Sequence, residues 1–186
     1  MGVISNGTTL LDAGALDSGV ATGAMTLIKT LTASSSATLS FVDGASSVVF
    51  DGTYKEYLFT FNNIHPGTNN VNFTFNMSVD TGSNYNVTKT STAFETFHVE
   101  NDSDAGLQYL TDSDLAQGTG FQRLTRESGS DNDQSISGSL HIFDPSSTTF
   151  VKHFMSRMQN SQREDPSLAY GFAGYGLSLI HISEPT

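Results

Sequence analysis

Cysteine and tryptophan are absent from this 186-residue chain, and lysine plus arginine number only 8 against 19 acidic residues. Without cysteine there is no disulfide framework, no thiolate nucleophile and no cysteine-ligated metal. The formal net charge of −11 excludes nucleic acid as a main partner, because backbone phosphates repel an acidic chain. No apolar run approaches the roughly 18 residues of a membrane span, so no membrane insertion is expected. The opening MGVISNGTTLLDAGALDSGV has neither the basic start nor the apolar stretch of a secretory signal. Asn6 stands where a myristoylation pattern needs Ser or Thr. Nucleophile-elbow, His-Glu-x-x-His, phosphate-loop and dinucleotide signatures are also missing.

What the chain does have is 13 Phe, 6 Tyr and abundant Gly, Ser, Thr and Asn, the composition of a turn-rich β protein. From Val71 to Val79, Val71, Phe73, Phe75, Met77 and Val79 alternate with Asn72, Thr74, Asn76 and Ser78. That period of two predicts a strand with one buried and one wet face. Tyr57, Phe59 and Phe61 repeat the pattern upstream, and Asn63 to Asn70 supplies turn residues around Pro66-Gly67. The two runs read as a central antiparallel pair.

Further strands are expected over Met25 to Thr32, Ala37 to Val42, Val48 to Phe50, Ala93 to Glu100 and Phe121 to Arg126. Three more follow at Ser135 to Phe143 with Ile136, Leu140 and Ile142 inward, at Thr149 to Asn160 with Phe150, Phe154 and Met158 aligned, and from Leu168. Tyr85 to Thr92 reads as strand or extended loop, and 101–120 as a long acidic loop. No segment holds a helical period. The expected fold is an all-β antiparallel sandwich, jelly-roll-like, over residues 25–176, preceded by an extended arm over 1–24.

The final ten residues, LSLIHISEPT (177–186), match the one-frame translation of a transposase sequencing adapter at every position. They are read as a non-native tail, with the native chain cut at or near Gly176 and His181 given no weight. Without Glu184 the balance is 8 basic against 18 acidic residues, or −10.

Four groups of residues invite a chemical reading. His65 sits in a turn, whereas His98, His141 and His153 lie on expected strands and would bind a metal only if those strands converge. The simpler reading places them on a wet sheet face. Asp102, Asp104, Asp112 and Asp114 alternate as calcium ligands do, but the third ligand before Gly and the distal Glu are missing, so a solvated loop is expected. Asp131-Asn132-Asp133 is a weaker version of the same. Glycosylation sequons at Asn6, Asn72, Asn76, Asn86 and Asn101 arise readily in Asn- and Thr-rich strands. A glycan-cleaving pair would draw on Glu56, Glu95 and Glu100 about 5–10 Å apart, and Glu56 and Glu95 read more simply as outer-face residues. The expectation is no catalytic, cofactor-binding or metal-binding residue.

The run from Phe59 to Tyr175 resembles structural proteins of tailed bacteriophages from marine and other environmental sources, the tail fibre and tail proteins. FNNIHPGTNNVNFTFNMSVDTGSNYNVTK (61–89), DLAQGTGFQ (114–122), GSDNDQSISGSLHIFDPSSTTFVKHF (129–154) and AGYG (173–176) carry the similarity, in that order. The resemblance implies a non-enzymatic β-sandwich virion component, with a further strand pair after Gly176. It also implies other virion proteins as partners, a homo-oligomer (a trimer if a fibre), and a host-surface glycan as a possible target. Its place would be the virion, made in the host cytoplasm and released by lysis. The alternative expectation is a carbohydrate-binding β-sandwich module of a secreted bacterial protein, since such folds host many functions.

Overall fold

Alternation along five long strands builds a six-stranded antiparallel sheet that dominates the chain. The structure is a computed structural model that describes residues 25–162 and 166–177, together with three short strands near the start. Those three, β1 (Val3–Ser5), β2 (Thr8–Asp12) and β3 (Ala15–Leu16), form a small antiparallel sheet of their own in order β1-β2-β3. By contacts the chain falls into two units, Met1–Leu31 and Thr32–Thr186. Of the arm expected over 1–24, only these strands are described, and the tail 178–186 lies outside the described residues.

The second unit contains β4 (Glu56–Ile64), β5 (Thr74–Phe75), β6 (Lys89–Val99), β7 (Ala105–Tyr109), β8 (Gln122–Arg123), β9 (Ile136–Phe143), β10 (Lys152–Ser161) and β11 (Pro166–Gly176). The large sheet runs β4-β9-β10-β11-β6-β7, and β5 pairs with β8 as a separate ribbon. Every pairing is antiparallel, and no helix occurs among the described residues. The all-β antiparallel class expected from the sequence is therefore present. The layer facing the sheet consists of the β5–β8 ribbon and irregular chain, whereas a jelly roll has two sheets of comparable size.

One face of the sheet is the core. Ile136 and Leu140 of β9, Phe154 and Met158 of β10, Leu168, Tyr170 and Phe172 of β11 and Ala93 of β6 are buried together. Leu110, whose amide bonds the Ala93 carbonyl at the sheet edge, joins them, and Leu124, Phe73, Phe75 and Met77 pack against the cluster from the chain covering it. Phe75 meets Phe154 edge-on at 5.1 Å, and Phe61 meets Phe73 at 5.0 Å. Each such side chain contributes about 1.5–3 kcal/mol by leaving water.

The pairing expected at the centre is not formed. β4 pairs with β9, and only Thr74–Phe75 of the Val71–Val79 run is a strand. Of the expected apolar face, Phe73, Phe75 and Met77 pack on the core, whereas Val79 is exposed, so the period chose the correct face for the middle of the run only. Alternation specifies a face and leaves the partner open. Here the Phe73 carbonyl accepts the amides of Leu124 (2.8 Å) and Thr125 (3.2 Å), while Val71 bridges Ser128. A bulge between Phe61 and Ile64, with Asn63 at φ 50°, breaks the β4 register before the supposed hairpin.

Other expectations are corrected as well. Residues 25–55 contain no strand, although Val48 is buried and Phe41 and Phe50 pack on Phe59 and Tyr57. These apolar pieces are separated by Ser and Gly and find no ladder partner. Phe150 lies before β10 and is exposed, so it does not align with Phe154 and Met158. The loop expected over 101–120 contains β7, which forms a hairpin with β6 through a turn with Asp102 at φ 59°.

Candidate functional site

The outward face of the sheet is assembled from the alternate residues of each strand. β9 presents Ser137, Ser139, His141 and Phe143, and β10 presents His153, Met155, Arg157 and Gln159. β11 presents Ala169, Gly171, Ala173 and Tyr175, and β6 presents Thr90, Thr92, Phe94, Thr96 and His98. Leu58 on β4 and Leu107 and Tyr109 on β7 complete the ends. Leu107 is 71% exposed, Met155 55%, Tyr109 52%, Phe94 49% and Leu58 38%. These exposed apolar side chains alternate with Ser, Thr, His, Arg and Gln across a face that carries a single carboxylate. Between β10 and β6 lies an open depression of about 400 Å³, lined by Thr90, Thr92, His153, Met155 and Tyr175 among others.

Acid is nearly excluded from this face. Glu56 alone projects from its strands, and it accepts a hydrogen bond from His141 Nδ1 at 2.5 Å. At the rim, Asp102 bonds His98 at 3.0 Å and Asp114 accepts the Tyr109 hydroxyl at 2.6 Å. The Asp114 bond raises the Tyr109 pKa above its usual value.

The histidines do not gather. His141 stacks on Phe143, His153 meets Tyr175 edge-on, and His98 lies on β6 opposite Ser167 of β11. His65 directly follows β4 and donates from Nδ1 to the Gln134 carbonyl at 2.8 Å. Among the described residues no group of three metal-ligating side chains forms.

The acidic loops have structural partners. Asp102 and Asp104 shape the β6–β7 turn through the bonds Asp102 N to Val99 O and Val99 N to Asp104 O. Asp112 receives Arg123 at 3.0 Å and lies 3.4 Å from Arg126. Partial desolvation opposes its ionisation, but bonds from Ser113 and Arg123 and the two arginine charges outweigh that and hold it below the usual carboxylate range. Asp131 closes a turn with the Gln134 amide. The Asn76 amide donates to the Tyr85 and Thr119 carbonyls, Asn72 accepts the Glu127 amide, and Asn101 accepts the Ser103 amide. Asn86 is exposed, and Asn6 lies outside the described residues.

The carboxylates proposed for glycan cleavage do not converge. Glu56 is on the outward face of edge strand β4, Glu100 is exposed beyond β6, and Glu95 points into the core. Glu95 is thus not the outer-face residue that the sequence suggested. Its neighbours explain the burial: Gln108 donates to it at 2.5 Å and Arg126 lies at 3.8 Å. Sequence reasoning missed this Arg126 centre, which also reaches Glu127 at 3.8 Å, while the Tyr170 hydroxyl and the Asn160 amide bond its backbone carbonyl. The available signal was the pair Arg123 and Arg126, two of only 8 basic residues in an acidic chain.

A second buried polar centre is Lys89, fully enclosed at the start of β6. Its ammonium donates to Asn76 Oδ1 at 2.5 Å and to the Val87 carbonyl at 2.7 Å, with no carboxylate partner among the described residues. Burial pushes its pKa down from 10.5 to about 8. Between those values the unfolded chain holds a proton that the folded chain has released, so stability rises with pH through this window. Burial raises Tyr57 and Tyr170 above their usual 10.0, and these tyrosines reverse the trend above pH 10. Urea unfolding should therefore show stability rising by about 2 kcal/mol from pH 8 to 10, and Lys89→Met should flatten that rise. A wild-type curve already flat over this range contradicts the assignment.

Comparison with known proteins found no matching family model, no matching curated protein and no matching solved structure.

Proposed function

We propose that this chain is a non-enzymatic structural component of a tailed-phage particle, in a tail fibre or on the particle surface. The observation that carries the reading is the broad, acid-poor face of the six-stranded sheet, on which Met155, Phe94, Leu58, Leu107 and Tyr109 stand exposed among neutral polar side chains. A face of that composition resembles the core of a protein–protein interface, where charge is depleted and Met and aromatic residues are enriched. The sequence resemblance supports the same reading, because its segments span β4 to β11. The polar centres at Arg126 and Lys89 join loops to the sheet and so read as structural. Partners are then other virion proteins and further copies of the chain, with a host-surface glycan as a target of the assembled particle.

The test is an antibody raised against the isolated chain. It should decorate intact particles that encode the chain, seen by electron microscopy. Undecorated particles together with free antigen in the lysate would overturn the proposal.

A carbohydrate-binding module is the second reading, favoured by one observation: Tyr175 and His153 stand beside the Thr90 and Thr92 hydroxyls at the depression. A glycan array with the purified chain separates the two. The structural reading expects no binding by the isolated chain at about 10 μM, whereas a selective hit lost in Tyr175→Ala would favour the module.

A further inference from the structure

We propose that two copies of this chain pack through their outward sheet faces about a two-fold axis parallel to the strands, β10 of each lying over β11 of the other. The inference deepens the particle-component reading by naming one partner of the exposed face. Its failure is distinguishable from failure of that reading, because a monomer could still be a particle component.

The first argument is shape. On β10 the outward residues are long: His153, Met155, Arg157 and Gln159. On the neighbouring β11 they are small: Ala169, Gly171 and Ala173. The register sets them side by side, with Met155 against Ala173, Arg157 against Gly171 and Gln159 against Ala169. The face therefore carries a ridge along β10 and beside it a lower line on β11 that is open at Ala169 and Ala173, covered at Gly171 by the Phe94 ring and closed at its end by Tyr175, opposite His153. A two-fold axis running between them lays Met155 and Gln159 of each copy over Ala173 and Ala169 of the other, with Arg157 over the ring that covers Gly171. The same rotation sets β6, with Phe94, over β9, with Ser137 and Ser139. Each contact then occurs twice, as an isologous interface requires.

The second argument is charge. A chain of net charge −11 repels its own copies over most of its surface. Two copies can approach with least repulsion through the face from which only Glu56 projects, and that carboxylate is already bonded to His141. Arg157 is the one fixed cation there. It has no ion pair among the described residues, and Phe94 lies over Gly171 beside it. In the pairing, Arg157 of one copy reaches the Phe94 ring of the second copy, a cation–π contact.

The third argument is area. Six strands about 4.8 Å apart and about eight residues long present a face of roughly 29 by 27 Å. That is about 800 Å² per copy, the amount a standard stable interface buries on each side.

Sedimentation velocity of the full chain tests the state, and cysteine pairing tests the geometry. The chain should sediment as a dimer at about 50 μM, with Met155→Glu weakening association by about tenfold or more. Asn132→Glu, on an exposed turn, should leave it unchanged. Because the chain has no cysteine, Met155→Cys and Ala173→Cys can be made as separate chains and mixed. A thiol-specific bis-maleimide spanning about 10 Å, the separation of two packed sheets, should give the 155–173 crosslinked pair in excess over either self-pair, since a direct disulfide is too short for that gap. A monomer or a trimer at that concentration, an unaffected Met155→Glu, or no preference for the mixed crosslink would each overturn the proposal. Circular dichroism of Met155→Glu should match the parent, and if it does not, the crosslinking result decides.

Discussion

Phe154→Ala should be the most damaging single truncation in the sheet, lowering stability by about 3–5 kcal/mol. Phe154 is fully buried near the start of β10, the strand held between β9 and β11. Its ring meets Phe75 at 5.1 Å and runs beneath Gly174, where a Cβ would stand 2.8 Å from the ring tip. Gly174 has no room for a side chain, because the Thr90 carbonyl and Ser91 Cα of β6 and the Phe154 ring all crowd that position. Truncation opens a cavity that cannot collapse from the sheet side, where the backbone ladder is fixed by ten registered residue pairs to β11. The only relaxation available is inward movement of Phe75 from the two-stranded ribbon. Denaturant melts should show the midpoint falling with little change in slope. Since a domain of this size has about 5–15 kcal/mol in total, the variant sits close to unfolding at 37 °C. A loss under about 1 kcal/mol would mean that the ribbon does not pack on β10 as described.

The second large effect is expected at Arg126. Arg126→Met should cost about 3 kcal/mol, because it leaves the buried Glu95 carboxylate without its positive neighbour. Gln108 still donates to Glu95 and cannot neutralise it. The discriminating variant is the double one. Arg126→Met with Glu95→Gln removes both charges, and it should recover more than half of the loss. If Glu95→Gln adds to the damage instead, the two side chains are not coupled, and the cluster is better seen as separate surface pairs around Asp112 and Glu127. The same experiment probes how the layers are held together, since Glu95 belongs to the sheet and Arg126 to the chain covering it.

These two sites illustrate what could be read from the sequence. Phe154 and Met158 lie on an alternating run, and Ile136 and Leu140 on another, so the inward face of β9 and β10 was legible from period alone. The partner of β4 was not, because Phe73, Phe75 and Met77 alternate equally well in a loop that covers the sheet as in a strand that joins it. β6 was half legible. Its inward residues Lys89, Ser91 and Glu95 are polar, and burial is sustained by partners from 31 to 13 residues away: Gln122 for Ser91, Arg126 for Glu95 and Asn76 for Lys89. No local pattern announces such pairings. The outward face was also invisible, since Met155, Ala173 and Phe94 become neighbours only once the strand order is known. The hairpin turn at Asn101-Asp102-Ser103 was readable as turn chemistry, yet the acidic run around it disguised β7 as loop.

Quantitative mass spectrometry of gradient-purified particles from a lysate of cells carrying this gene tests the account most directly. If the chain is a structural component, its peptides should band with the major capsid protein at a fixed, integral copy number per particle. The ratio should persist through a high-salt wash, because the proposed contact surface carries few charges. Peptides confined to the soluble fraction, or a ratio that falls steadily with washing, would contradict the central claim and return the exposed face to a partner outside the particle.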